Sequence, residues 1–154
     1  MRKLIVRIAE GFGNQMFMYA HAYALSKKLN YEIFIDNTSG YYKNKNQIRN
    51  YDLDKLNIYA DLSDKKYRYD AFFSNIKRNL LIKIDNFKTN KSFLIEKKDV
   101  HKITSYQNYI SNNYSKLLFL EGHFESEKYF IDFSNDIKDQ FVVKKNFANL
   151  NNKY

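Results

Sequence analysis

Two of the four glycines in this 154-residue chain, Gly11 and Gly13, stand one residue apart. They come after the apolar run Leu4-Ile5-Val6-Arg7-Ile8 and precede a segment of helical character. Glycine between a strand and a helix serves one of two purposes. It lets the backbone approach a ligand or take a positive φ, or it relieves crowding in a tight turn. The first purpose suits a turn that leads into a helix. Amides at a helix N-terminus lack intrahelical partners and carry partial positive charge, which suits a phosphate or a sugar hydroxyl. Asn14 and Gln15 add side-chain amides at the same place. Asn14 has a second reading as the helix cap, its oxygen accepting a first-turn amide. Gly11 and Gly13 lead to Met16 rather than to a third glycine, so this is not the dinucleotide fingerprint. No Gly-Lys-Ser/Thr comes after them, so it is not a P-loop either.

Other reactive side chains are fewer. Asp36 ends the second apolar run, where α/β sheets gather ligand groups. It is either a base for a hydroxyl or a turn cap, and the cap is favoured. His21 falls inside the first helical segment and reads as structural or exposed, while His101 lies in a polar stretch without period. Glu125 and Glu127 sit at a helix start beside Lys128, which favours capping over catalysis. With no cysteine, disulfides, thiol nucleophiles, zinc knuckles and iron–sulfur sites are excluded together. No Ser/His/Asp arrangement or metal-ligand cluster stands out, and no metal is expected.

These residues need a scaffold. Leu4 to Ile8 reads as a strand, Asn14 to Leu29 as a helix with Phe17, Ala20, Ala24 and Lys28 on one face, and Tyr31 to Ile35 as a second strand. Strand, glycine turn, helix and strand make a βαβ unit, which crosses over right-handed and builds a parallel sheet. Thr38 to Asn50 reads as a loop and Tyr51 to Ile58 as a short helical turn. Within Lys65 to Asn86, Phe72, Phe73, Ile76, Leu80 and Ile84 form a helical stripe. Lys88 to Asn113 gives no clear period. Lys116 to Leu120 is a continuous apolar run, as in a buried parallel strand. Gly122-His123-Phe124 breaks it, and Ser126 opens a helix with Tyr129, Phe130, Phe133, Ile137 and Phe141 on one side. Val142 to Tyr154 is rich in Lys and Asn and is expected to fray. The fold class expected is α/β, a Rossmann-like parallel sheet flanked by helices, in one domain over residues 1–154.

Composition narrows the partners. The net charge of +9 suggests an anionic neighbour: nucleic acid, a membrane surface or a phosphorylated ligand. The lysines are scattered, however, and their abundance alongside Asn, Tyr, Phe and Ile matches a low-GC coding bias. Aromatics make up 18% of the chain, but many fall at apolar-periodic positions, which favours core over base stacking. No nucleic-acid partner is expected. The basic start Met1-Arg2-Lys3 precedes an apolar run far too short for a signal peptide, and no stretch approaches the ~20 apolar residues of a membrane span. The expected location is cytoplasmic, with peripheral contact at the inner face of the membrane as a further option.

Three longer strings carry a resemblance. Gly11-Phe12-Gly13-Asn14-Gln15-Met16-Phe17-Met18-Tyr19-Ala20 is similar to the opening Gly-Gly-Leu-Gly-Asn-Gln-Met-Phe-Gln-Tyr-Ala of bacterial α-1,2-fucosyltransferases, glycosyltransferase family 11. Arg49-Asn50-Tyr51-Asp52-Leu53, running on to Asn57-Ile58, resembles that family's Arg-x-Tyr-x-Leu stretch. Gly122-His123-Phe124-Glu125-Ser126-Glu127-Lys128-Tyr129-Phe130 resembles its Gly-Tyr-Trp-Gln-Ser-Glu-Lys-Tyr-Phe segment. The resemblance implies the N-terminal half of a GT-B-like enzyme that inverts configuration as it moves fucose from GDP-fucose to the 2-hydroxyl of a galactoside, in a surface glycan such as lipopolysaccharide, with no required metal. It places Gly11, Gly13, Asn14 and Gln15 near the sugar or pyrophosphate. The catalytic base is not identified. Glu10 departs from the family, which usually has glycine there, and so does His123-Phe124-Glu125. The family's donor-binding His-x-Arg-Arg-Gly-Asp-Tyr is not found in this sequence. Those arginines would hold the pyrophosphate and stabilise the departing phosphate. The resemblance therefore implies a chain inactive by itself whose donor-binding domain is absent or separate. The alternative is a non-catalytic glycan-binding or partner-pairing module derived from such an enzyme. An apolar inter-domain face left uncovered would make the chain sticky.

Overall fold

The computed structural model describes residues 1–42, 49–96 and 109–148. In chain order these form β1 (Lys3–Arg7), α1 (Phe12–Leu29), β2 (Glu32–Asp36), β3 (Asp61–Leu62), α2 (Phe72–Asp85), β4 (Lys91–Ile95), β5 (Tyr114–Glu121), α3 (Ser134–Gln140) and α4 (Lys145–Ala148). The sheet order is β3-β2-β1-β5-β4, and every neighbouring pair is parallel. This is the expected Rossmann-like α/β sheet.

β1 lies at its centre because it is apolar on both faces. Leu4, Ile5 and Val6 are at most 1% exposed, as fits a strand covered on both sides. Alternate side chains point to opposite faces and build two cores. Leu4, Val6, Ile35, Leu118 and Leu120 pack toward α1. Ile5, Phe34, Phe93, Leu117 and Phe119 pack on the other face with Tyr67, Tyr69 and Leu81. A rightward crossover and a leftward one, both right-handed, must pass over opposite faces, and α1 and α2 do so.

α1 differs from the single-stripe expectation. Every residue from Met18 to Ser26 is buried. One side of the helix meets the sheet, and Tyr109, Phe124 and Tyr129 close over the other. Ala20, Ala22 and Ala24 are fully buried, and such small residues allow close packing on two sides. The helix ends at Asn30, which takes the left-handed conformation (φ 55°) that Asn tolerates and turns its amide back to Lys27 and Ser26.

Two other expectations change. The helix over residues 72–85 forms, but its apolar stripe faces outward, because Asn75, Arg78 and Asp85 turn inward beside Leu81. Asp85 is buried and accepts the amides of Ser92 (2.9 Å) and Phe93 (3.1 Å) at the start of β4. The segment after Ser126 is not one helix. It makes two 3-10 turns, Glu127–Tyr129 and Ile131–Phe133, before α3, with Phe130 (φ −143°, ψ 11°) interrupting between them. β3 and β4 were not legible from periodicity. His101 and parts of the expected loop and C-terminal fray lie outside the described residues. Among the described residues no helix is long and apolar enough to cross a membrane.

His21 is fully buried, 4.1 Å from the Phe124 ring and 4.9 Å from Tyr129 between centroids. Burial lowers its pKa from 6.5 to about 3. The unfolded chain therefore binds a proton in this window that the folded chain excludes. The stability tied to His21 is complete above pH 6.5 and is lost as pH falls toward 3, at about 1.4 kcal/mol per pH unit. His21→Asn removes this dependence. Urea denaturation at pH 7 and at about pH 4.5 should show the gap between the parent chain and the variant narrowing by about 2–3 kcal/mol in acid.

Candidate active site

Because all strands run parallel, β1, β2, β4 and β5 end along one edge, at Arg7, Asp36, Ile95 and Glu121. The chain places β2 on one side of β1 and β5 on the other. The switch point therefore lies between β1 and β5, where open α/β sheets hold ligands. The N-terminus of α1 opens at this edge.

The turn from β1 into α1 is unusual in where it takes strain. Glu10 adopts φ 63°, the left-handed region that glycine enters without cost. This explains why glycine would suit position 10. Glu10 is secured by an ion pair from its carboxylate to Arg49, so its charge is directed at a cation. Gly11, by contrast, has an ordinary extended conformation (φ −78°, ψ 168°). A Cβ at Gly11 or Gly13 would meet no atom within 4 Å. Crowding within the chain therefore explains neither glycine. The contrast is Gly40, where a Cβ would come within 1.9 Å of the Ile8 carbonyl oxygen.

Gly11 is the N-cap of α1, and no side chain caps the helix. The capping expectation for Asn14 is thus corrected: Asn14 is the third residue of the helix, half-buried, whereas a cap must precede the first turn. The first turn carries no acidic residue and closes with the Gln15 amide on the Gly11 carbonyl at 3.1 Å. The amides ahead of it lie at a bare helix end that favours an anion or a sugar hydroxyl.

Gln15 is fully buried and joins this turn to another segment. Its Nε2 donates to the carbonyls of Glu10 (3.0 Å) and Asn50 (2.8 Å), and its Oε1 accepts the Asp52 amide at 2.9 Å. Its place in the structure is beneath the turn, where it holds the backbone around Gly11. Two of the three strings that carry the resemblance meet here, as Gln15 and Glu10 bind 49–52, and the third packs on α1 farther along, where the Phe124 ring lies tilted against His21.

At the switch point Glu121 ends β5 almost buried and bridges two arginines. Arg7 on β1 lies 3.2 Å away, and Arg78 from α2 grips it through both Nε (2.8 Å) and an Nη. Arg7 also donates to the Ser39 carbonyl at 2.9 Å. Beside this cluster Glu96 Oε2 accepts the amides of His123 (2.7 Å) and Phe124 (3.1 Å), which fixes the break after β5. The left-handed values of Gly122 (φ 150°) and Phe124 (φ 52°) show how tightly that break is wound. Arg7, Ala9, Met18, Glu96, Glu121 and His123 line a pocket of about 180 Å³. That is below the ~300–1,000 Å³ of sites that enclose a whole small ligand. A second pocket of about 350 Å³ lies at the end of β2, lined by Thr38, Tyr41, Arg49, Asn50 and Asp70 among others. Burial, reinforced by the charges of Asp52 and Glu10, raises the pKa of the Tyr41 phenol and keeps it a neutral donor.

Asp36 takes the turn-cap role: its Oδ1 accepts the amides of Thr38 (3.1 Å) and Ser39 (3.0 Å). His123 Nδ1 lies 3.5 Å from Glu125 at the rim, and Ser126 accepts the Lys128 amide at 3.4 Å. Among the described residues no group of three or more His, Cys, Asp or Glu could hold a metal ion. Sequence reasoning missed Arg7, Arg78, Glu96 and Glu121. The signal for two of them is visible: Arg7 and Glu121 are charges set directly at the ends of apolar runs, where strand ends meet a ligand edge.

No family model matches the chain, and no solved structure matches it. Among curated proteins, an α-1,2-colitosyltransferase of Escherichia coli is 28% identical over 142 residues, covering 92% of this chain and 46% of that relative. The chain thus spans about half the length of the relative it matches, and the likeness relates it to glycosyltransferases.

Gln15 gives this geometry a direct test. Gln15→Leu keeps the volume but strips partners from two carbonyls and one amide, each a loss of about 1–3 kcal/mol where water cannot replace it. Chemical denaturation should show a stability drop of at least about 2 kcal/mol.

Proposed function

We propose that this chain is the acceptor-side half of an inverting α-1,2-glycosyltransferase. The donor favoured by its three motifs is GDP-fucose, and the acceptor is the 2-hydroxyl of a galactoside. The observation that carries the reading is the bare N-terminus of α1 at the β1–β5 edge, where two glycines expose backbone amides with no need inside the chain. The glycosyltransferase relative, whose name specifies the same α-1,2 linkage, supports it.

In such a transfer the acceptor oxygen attacks the anomeric carbon while the bond from that carbon to the diphosphate breaks. GDP leaves with the electron pair, and the hydroxyl proton passes to a base. Gly11 and Gly13 let a sugar or phosphate oxygen reach the first amides of α1, and the helix end stabilises charge that develops there. The Asn14 side-chain amide adds a hydrogen bond at the same edge. Gln15 positions these groups from below. The arginines that would hold pyrophosphate belong to a motif absent from this sequence, so the chain alone is expected to bind a ligand without turning it over. The second reading is a glycan-recognition module that acts with a donor-binding domain.

Calorimetric titration with GDP-fucose, GDP and a β-galactoside separates these readings, with GDP release as the activity readout. Galactoside binding without GDP release is the expected result, and binding of none of the three ligands overturns the proposal. Gly13→Ala makes the test specific. Alanine there raises helix propensity and should stabilise the fold by about 0.5–1 kcal/mol, while its methyl group obstructs the ligand and weakens binding at least about tenfold. Unchanged affinity would remove the α1 terminus from the site.

A further inference from the structure

α2 is built inside out. Its buried residues are Asn75 and Asp85, and its arginine Arg78 reaches inward to Glu121. Phe72, Phe73, Ile76, Leu80 and Ile84 face outward, and Phe87 continues on the same side, with Phe73 82% and Phe87 92% exposed. At 100° per residue these six fall within an arc of roughly 120°, a stripe as wide as one that normally packs on a core. Among the described residues nothing covers it. One such residue alone would be ordinary, but six on one face mark a binding surface.

The charges around the stripe identify the occupant. Lys77 borders it and Lys83 stands within it, both exposed, and Lys88 stands at its end, 3.6 Å from Asp85. The one acid of the helix, Asp85, faces inward and is buried. A second copy of the chain laid on this face would bring lysine against lysine with no exposed carboxylate of the helix between, so the helix face is not self-complementary. Aromatic and aliphatic side chains among lysines, with no exposed acid on the helix itself, match the boundary of an anionic bilayer, where rings enter the acyl region and ammonium groups meet phosphates.

We propose that the outer face of α2 is a membrane-binding surface specific for anionic lipid. It stands apart from the glycosyltransferase reading, since it uses neither α1 nor the pockets. Phe72 lies two residues beyond Asp70, which pairs with Thr38 at the end of β2, so a bilayer under α2 lies beside the candidate site.

Co-sedimentation of the full chain with vesicles tests this. Phosphatidylcholine mixed with phosphatidylglycerol should bind it roughly a hundredfold more tightly than phosphatidylcholine alone, and added salt should weaken binding. Lys77→Gln with Lys83→Gln should cost about thirtyfold in affinity for the mixed vesicles. Phe73→Asp with Leu80→Asp should abolish vesicle binding while circular dichroism and thermal midpoint stay unchanged, because both side chains already face solvent. Absent or charge-independent vesicle binding overturns the proposal. So does a dimer in analytical ultracentrifugation that the double aspartate variant dissociates while vesicle binding persists, or a soluble acidic protein that occupies the face in place of lipid.

Discussion

The contact between Arg7 and Glu121 is the constraint on which the sheet's functional edge depends. β1 is apolar on both faces, so hydrophobicity by itself does not fix its register: a slip by one residue would exchange Leu4 and Val6 for Ile5 on the α1 side and still bury carbon. The charges at the strand's end remove that freedom. Only with Val6 opposite Ile35 and Leu120 does Arg7 reach both Glu121 and the Ser39 carbonyl. Such a pair costs desolvation and contributes modestly to stability, but it is well suited to fixing register. Once β1 is fixed, so are the starting point of α1 and the placement of the turn that precedes it.

The second partner of Glu121 explains the orientation of α2. Arg78 must point at the sheet edge to meet Glu121, and Asp85 must point at the start of β4 to receive its amides. Seven residues apart on a helix, the two lie on one face. With both ends turned inward by polar contacts, the apolar stripe has no choice but to face out. The energy that would come from burying those phenylalanines, isoleucines and Leu80 in the chain's own core is not collected there, which is the physical sense in which the face awaits a partner.

The same logic governs how much of this was legible in the sequence. The runs Leu4–Ile8 and Lys116–Leu120 announce central parallel strands because two-sided burial leaves no polar alternation to confuse. The glycine turn and the helix after it were legible for their composition. The helix over 72–85 was legible as a period but not as an orientation, since periodicity places residues on one face without saying which face is inside. β4 escaped because an edge strand that opens with Lys91-Ser92 carries half the apolar signal of a central one. At the site, Gly11, Gly13, Asn14 and Gln15 stood out as a string, but the division of labour within it did not. That Gln15 lies beneath the turn depends on the carbonyl of Asn50 and the amide of Asp52, contacts 35 and 37 residues away.

The turn itself runs against the chain's own stability in two ways. A glutamate at φ 63° costs about 1–3 kcal/mol where glycine would be relaxed, and it persists because Arg49 and Gln15 fasten it to the 49–52 segment. Glycine in the first turn of α1 costs about 0.5–1 kcal/mol where alanine would fit without contact. A sequence shaped for folding alone would reverse both choices. Local sacrifices of this kind gather where a site must stay bare and correctly aimed. Here they leave free amides at the end of an 18-residue helix, beside the switch point of a parallel sheet. Strain at position 10, bareness at 11 and 13 and the Gln15 anchor thus form one arrangement: the glutamate ties the neighbouring segment down, the glutamine supports the backbone, and the glycines leave the helix end uncovered.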